Sequence, residues 1–162
     1  MELVGVRLEL PANTPIVLLK ETTGAGRILP IYIGGPEAAA IAYALEHVPT
    51  PRPLTHDLLR NLLVELGVEV RRIVVTELRE HTFFAELELV QNGAVHRVSS
   101  RPSDAIALAV RAGTPIFAEE AVLEVAGQEA PAEEEETEGA EDGLVDEFRE
   151  FIEHVKPDDF AP

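Results

Sequence analysis

The 162-residue chain contains no cysteine. That excludes disulfides, thiolate metal centres and cysteine nucleophiles, and it suits a reducing compartment. Tryptophan is also absent, and aromatic residues make up 5% of the sequence, so there are few flat surfaces on which unpaired bases could stack. Tyr32, Tyr43, Phe83, Phe84 and Phe117 sit mostly where a core is expected to absorb them. No apolar run approaches the ~18 residues of a membrane span, and no charged-then-apolar leader opens the sequence. The expectation is a soluble, cytoplasmic protein. Glycine-rich Walker loops, dinucleotide fingerprints and HExxH zinc patterns are missing as well.

Positive charge is scarce: 13 Lys and Arg stand against 30 Asp and Glu, a formal charge of −17. The imbalance is concentrated at one end. Residues 1–127 hold 11 basic and 16 acidic side chains, and residues 128–162 hold 2 and 14. The first part therefore has no basic excess to draw a polyanion from a distance, and nucleic-acid binding would need a local arginine cluster. The acidic tail would compete with nucleic acid for any basic groove. Apolar residues, at 46%, are enough for a real core.

Periodicity predicts strands over 2–10, 15–20, 28–33, 68–78, 82–90 and 94–100, with Asn92-Gly93 as a hairpin turn. A short extended piece follows at 115–118. Helices are expected from Gly34-Gly35-Pro36-Glu37 to about His47, from His56 to Leu66 with Thr55 as N-cap, from Pro102 to Gly113, and over 119–126. Leu58, Leu59, Leu62, Leu63 and Leu66 recur at helical spacing and predict a core-facing stripe. The whole reads as an α+β domain over residues 1–127: a mostly antiparallel or mixed sheet packed by three or four helices. Glu133-Glu134-Glu135-Glu136 and their neighbours predict a disordered acidic linker over 128–142. Leu144, Val145, Phe148, Phe151, Ile152 and Val155 predict an amphipathic helix over 143–156 that docks on its own chain or on a partner, followed by a tail over 157–162.

The most informative stretch is Arg101-Pro102-Ser103-Asp104-Ala105-Ile106-Ala107-Leu108-Ala109. Pro102 suits a first helical turn, and a carboxylate there complements the helix dipole. The apolar run that follows has no polar face and should be buried. A guanidinium and a carboxylate at the mouth of a buried helix must be paired, capped or used.

Three stretches in order resemble the bifunctional nuclease (BFN) domain family: Leu29-Pro30-Ile31-Tyr32-Ile33-Gly34 with Glu37-Ala38, Pro51-Arg52-Pro53-Leu54-Thr55-His56-Asp57, and Arg101 through Ala109. The resemblance covers roughly residues 1–127. It implies a compact domain with mostly antiparallel strands, often paired into homodimers, and a nuclease activity on RNA and DNA. The family often carries Asp two residues before the arginine of the third stretch, where this chain has Ser99. That change removes one carboxylate from the candidate site.

Phosphodiester hydrolysis needs an activated water or hydroxyl, charge stabilisation and a proton for the leaving oxygen. Carboxylate-held metals supply these, as does a histidine with a nearby cation. The motif positions nominate Asp104, His56, Asp57 and Glu37 as catalytic groups, and Arg101, Arg52 and Ser103 as phosphate-binding groups. Asp104, Asp57 and Glu37 are the candidate ligands for Mg²⁺ or Mn²⁺. Each has a plainer reading. Asp104 can be a helix-end partner of Arg101, and Ser103 a local backbone acceptor. His56, Asp57 and Glu37 can be first-turn residues that serve only their own helices. The competing view of the whole chain is a non-catalytic interaction module that recruits partners through its C-terminal helix.

Overall fold

The computed structural model describes residues 1–129. Strands β1 (Glu2–Glu9), β2 (Thr14–Lys20) and β3 (Ile28–Tyr32) form one antiparallel sheet in that order. Helices α1 (Gly35–Leu45) and α2 (Thr55–Glu65) follow. A second sheet has the order β6-β5-β4-β7, built from β4 (Glu69–Arg79), β5 (Thr82–Gln91), β6 (Ala94–Ser100) and β7 (Ile116–Ala118). Among the described residues only the β4–β7 pairing is parallel. Helix α3 (Pro102–Ala112) lies between β6 and β7 in the chain, and α4 (Glu120–Ala126) ends the element order. The fold is α+β, with the strands divided between two sheets. Among the described residues no helix is long and apolar enough to cross a membrane.

Helix α3 is the centre of the core. Ala105, Ile106, Ala107, Leu108 and Ala109 are all buried, in one cluster with Val17 and Leu19 of β2, Leu29 and Ile31 of β3, Ile41 of α1, and Ile73, Val75, Ala85 and Leu87 of the second sheet. Each fully buried Leu or Ile contributes about 1.5–3 kcal/mol. The alternating alanines let neighbouring backbones come close. Gly113 ends the helix at φ 65°, a left-handed conformation that favours glycine.

Several sequence expectations need correction. Helix α2 contains no buried residue, and Leu58, Leu59, Leu62, Val64 and Leu66 are exposed. Of its leucine stripe, Leu63 packs partly buried against the core, while Leu58, Leu59, Leu62 and Leu66 stay exposed among the described residues. Thr55 is the first helical residue and not the cap; the Asp57 carboxylate accepts the Leu54 N–H at 2.8 Å instead. None of the five aromatics is fully buried, although Phe83 packs partly buried against the core. Tyr32 is exposed and donates to Glu9 at 2.6 Å. Phe84 and Phe117 lie beneath the guanidinium groups of Arg79 and Arg72, at 4.6 and 5.9 Å. Arg71 and Arg72 both reach Glu88, at 3.4 and 2.8 Å, although neighbouring strand residues ordinarily face opposite ways. A register shift between Val70 and Arg72 accompanies this convergence.

Gln128 exchanges two backbone hydrogen bonds of 2.8 Å with Ile28, so order extends past Gly127 into the first residues of the expected linker. The rest of that linker, the expected helix over 143–156 and the tail over 157–162 lie outside the described residues.

Glu21 and Arg27 clamp the β2–β3 connection, with Arg27 Nη2 on Glu21 Oε1 at 2.9 Å and Nη1 on Glu120 of α4 at 2.9 Å. The Arg27 side chain lowers the Glu21 pKa to about 2, against a smaller opposing effect of burial. A carboxyl depressed in the folded state stabilises fully above its unfolded value, near pH 4.5, and loses that contribution as pH falls towards about 2. Urea midpoints are therefore expected to drop between pH 5 and pH 2.5, with a shallower drop in Glu21→Gln. Parallel pH profiles for the two proteins would refute this origin.

Candidate functional site: ion pairs joining three helix starts

Each of the three motifs places its charged residue in the first turn of a helix. Glu37 lies one turn into α1, and its carboxylate sits where a side chain on Gly34 would collide with it. His56 and Asp57 open α2, and Arg101 is the N-cap of α3, with Asp104 two residues after Pro102. Because α3 packs against both α1 and α2, the three starts meet.

The ion pairs run continuously across them. Arg101 Nη1 contacts Glu37 Oε1 at 2.8 Å. Arg101 Nε and Nη2 donate to the two oxygens of Asp104 at 2.7 and 3.0 Å, a bidentate pair. On its other side Asp104 Oδ1 faces His56 Nε2 at 3.1 Å. Burial pushes the Asp104 carboxyl up, but the hydrogen bonds from Arg101 and His56 pull it below its ordinary value. The same contacts with Asp104 and Glu37 raise Arg101 further. Asp104 is therefore an anion across the neutral range. An anion at this distance selects the tautomer with its hydrogen on Nε2, in which the lone pair of a neutral ring is on Nδ1. The His56 side chain is 12% exposed and that of Arg101 is 64% exposed.

Four of the seven residues singled out by the motifs are thus joined: Glu37, Arg101, Asp104 and His56. Asp57 points elsewhere. It accepts from Arg111 Nε, whose Nη1 donates to the Ala107 carbonyl at 2.9 Å. Burial opposes ionisation of Asp57, while Arg111 and the Leu54 N–H favour it, and the net direction is down. Ser103 is buried and lines a hollow of about 380 Å³ with Tyr32, His81 and Arg101. Arg52 lies exposed on the proline-rich crossing; its carbonyl accepts from Thr50 Oγ1 at 2.8 Å, and its guanidinium forms no ion pair among the described residues. Sequence reasoning missed Arg111. The signal was a lone cation in the last turn of an apolar helix, which ordinarily needs no more than the helix dipole to explain it.

The carboxylates Asp104, Asp57 and Glu37 do not assemble into a metal site. Asp104 and Glu37 meet only through Arg101, and Asp57 is taken by Arg111. Among the described residues no group of three His, Asp or Glu is placed to hold a metal ion. A Mg²⁺ or Mn²⁺ ion would have to displace a guanidinium, so these residues do not fit the expected ion.

Similarity to known proteins covers the segment that holds the three motifs. A family model described as the bifunctional nuclease domain matches residues 17–131. An uncharacterized protein of Mycobacterium tuberculosis (strain ATCC 25618 / H37Rv) is 47% identical over 99% of this chain and 96% of its own length. Bifunctional nuclease 1 of Arabidopsis thaliana is 33% identical over 65% of this chain, and bifunctional nuclease 2 of the same plant 34% identical over 66%. These matches span about a third of each plant protein, 33% and 34% of their lengths. The matched segment carries Glu37, His56, Arg101 and Asp104 on one scaffold, and the chain belongs to the bifunctional nuclease domain family.

Proposed function

We propose that this chain hydrolyses phosphodiester bonds in RNA and DNA, with His56 as the proton acceptor and Asp104 as the residue that orients it. The observation carrying this reading is the 3.1 Å His56–Asp104 contact, made between the starts of two different helices. DNA has no 2′-hydroxyl, so a mechanism common to both polymers must activate water. His56 Nδ1 takes a proton from that water as its oxygen attacks phosphorus, and the imidazolium returns the proton to the departing oxygen. Three of the five guanidinium N–H directions of Arg101 are used on carboxylates, which leaves two for the phosphate oxygens. Glu37, Arg101 and Asp104 together carry a net charge of −1 while the imidazole is neutral, and proton uptake by His56 cancels it. The cluster therefore accommodates an anion better after proton transfer than before it.

The purified full chain, incubated at length with single-stranded RNA and with single-stranded DNA, is expected to cut both slowly. Cleavage should continue in chelator, since Arg101 already occupies the carboxylates a metal would need. No cleavage of either polymer, with or without Mg²⁺ and Mn²⁺, would sink the proposal. Chelator sensitivity would reject the His56 route in particular.

A homodimer is the accompanying assembly, and the exposed stripe of α2 supports it, together with β6. The other sheet edges are guarded. β1 has a register shift at Gly5 and alternating charges, β3 contains Pro30 and is bridged by Gln128, and β7 is three residues long. β6 has seven residues, no proline and no irregularity in its register, and it is exposed along nearly its whole length, including Val95 and Val98. An open antiparallel edge is complementary to a second copy of itself across a two-fold axis. Sedimentation should show a concentration-dependent dimer, which a Leu62→Glu/Val98→Lys double variant disrupts. A wild-type chain that stays monomeric at high concentration, or a double variant that stays dimeric, would discard this interface. Such contacts also suit the competing interaction-module reading, whose C-terminal helix lies outside the described residues. A cytoplasmic location completes the proposal and fits the cysteine-free composition.

A further inference from the structure

A second hollow, of about 440 Å³, opens between the end of α1, the start of α2 and the end of α3. It is separate in lining from the one beside Ser103 and Arg101. Arg111 stands in its wall. The Arg111 side chain is 6% exposed, yet only Nε and Nη1 make hydrogen bonds among the described residues. Nη2 has no protein acceptor there, and it is absent from the fully enclosed polar atoms that lack a partner. A guanidinium this enclosed, with one terminal nitrogen unspent at a hollow, is a built donor for an anion. Arg60 lines the same space. Its only polar contact among the described residues is a 3.4 Å approach to Asn61 Oδ1, at the long limit of a hydrogen bond. Tyr43, His47 and Thr50 add further polar groups.

The charges decide the kind of ligand. Arg111 and Arg60 outweigh Asp57 by one positive charge, whereas the Glu37–Arg101–Asp104 cluster is negative by one. The volume is within the range of small-molecule sites, and the polar groups suit a sugar and base edge around a phosphate. Position links this hollow to the chemistry. Asp57 lines it while the preceding residue, His56, faces Asp104, and successive Cα atoms are only about 3.8 Å apart.

We propose that this hollow holds the nucleotide next to the scissile phosphate, with Arg111 Nη2 and Arg60 donating to its phosphate oxygens. The assignment rests on the nuclease reading and adds a substrate-strand subsite to it. It makes the start of α2 a divide, with the reacting phosphate on the His56 side and the neighbouring one on the Asp57 side.

Two measurements test it. In the first, adenosine 5′-monophosphate and, separately, inorganic phosphate are titrated into the isotope-labelled full chain and amide shifts are followed. Adenosine 5′-monophosphate should move the signals of Tyr43, His47, Asn61 and Val110, and Arg60→Ala should weaken that binding about tenfold, the scale of one charge-assisted hydrogen bond. Inorganic phosphate alone should bind more weakly at the same residues. In the second, cleavage of hexauridylate is compared with that of the dinucleoside monophosphate UpU, whose single phosphate is the scissile one and which therefore offers Arg60 no neighbouring phosphate. Arg60→Ala should raise KM about tenfold for hexauridylate and leave UpU unchanged, with kcat held for both. Shifts confined to the Ser103 side, or equal KM changes for the two substrates, would overturn the subsite. If no substrate is cut, the nuclease reading fails, and the titration alone decides whether the hollow takes nucleotides.

Discussion

Cleavage of single-stranded RNA by the His56→Ala variant is expected to fall about 10²–10⁴-fold, the usual contribution of a positioned proton acceptor. The loss should appear in kcat, because the imidazole acts on the attacking water and not on the ground-state phosphate. Asp104→Asn is the more searching companion. The amide keeps the size of the carboxylate but can offer an N–H to Nε2. That would move the imidazole proton to Nδ1 and remove the base. A loss within tenfold of that in His56→Ala is therefore expected, although the imidazole itself is intact. Stability should change little in His56→Ala, by about 1 kcal/mol, for truncation of a side chain that is 12% exposed. If both variants fold and cut RNA at the wild-type rate, the pair has a scaffolding role only. The Glu37–Arg101–Asp104 ion pairs would then be explained by fixing helix ends.

The second large effect concerns stability. Arg111→Met removes the guanidinium from the wall of the α1–α2–α3 hollow and leaves the Asp57 carboxylate without its cation. Breaking a fully buried pair costs about 3–5 kcal/mol. The Asp57 side chain is 32% exposed, so water can reach it and the expected loss is nearer 2–3 kcal/mol. Methionine keeps most of the volume, so packing contributes little to the loss. The double variant Arg111→Met/Asp57→Asn should recover part of it, because no unpaired charge remains. Urea midpoints of the four proteins form the cycle. A double variant as unstable as the sum of the singles would show that the residues do not act as a pair. Since Asp57 also receives the Leu54 N–H at 2.8 Å, the Asp57→Asn single variant is expected to loosen the start of α2 as well.

How far the sequence foretold this molecule depends on whether a feature is local. Strand and helix bounds follow from period and punctuation, and they agree with the structure within about two residues. The Asn92-Gly93 turn has both residues in the left-handed region. The Glu80-His81 turn has the same left-handed backbone without any glycine, so only its position was legible. Long-range placement was not legible. The leucines of α2 have ideal spacing, yet spacing says only that a face exists and not what covers it. The charged residues at three helix starts suggested convergence, and four of them touch. The split between Asp104 and Asp57 could not be read, because it depends on Arg111, which is 54 residues from Asp57 along the chain. The single net figure of −5 for residues 1–127 likewise concealed two adjoining regions of opposite sign.

The run of alanines on α3 has a further consequence. Ala105, Ala107 and Ala109 are all but inaccessible, at 0%, 0% and 1% exposure, and larger side chains there would force the surrounding layers apart. The three helix starts take their spacing from that narrow pavement. Alanine-to-valine changes at these positions, one to five residues beyond Asp104 on α3, should thus misalign the imidazole and its carboxylate without replacing either. Efforts to redirect specificity have more room along the proline-rich crossing around Arg52, where the backbone can be rewritten without moving the pavement.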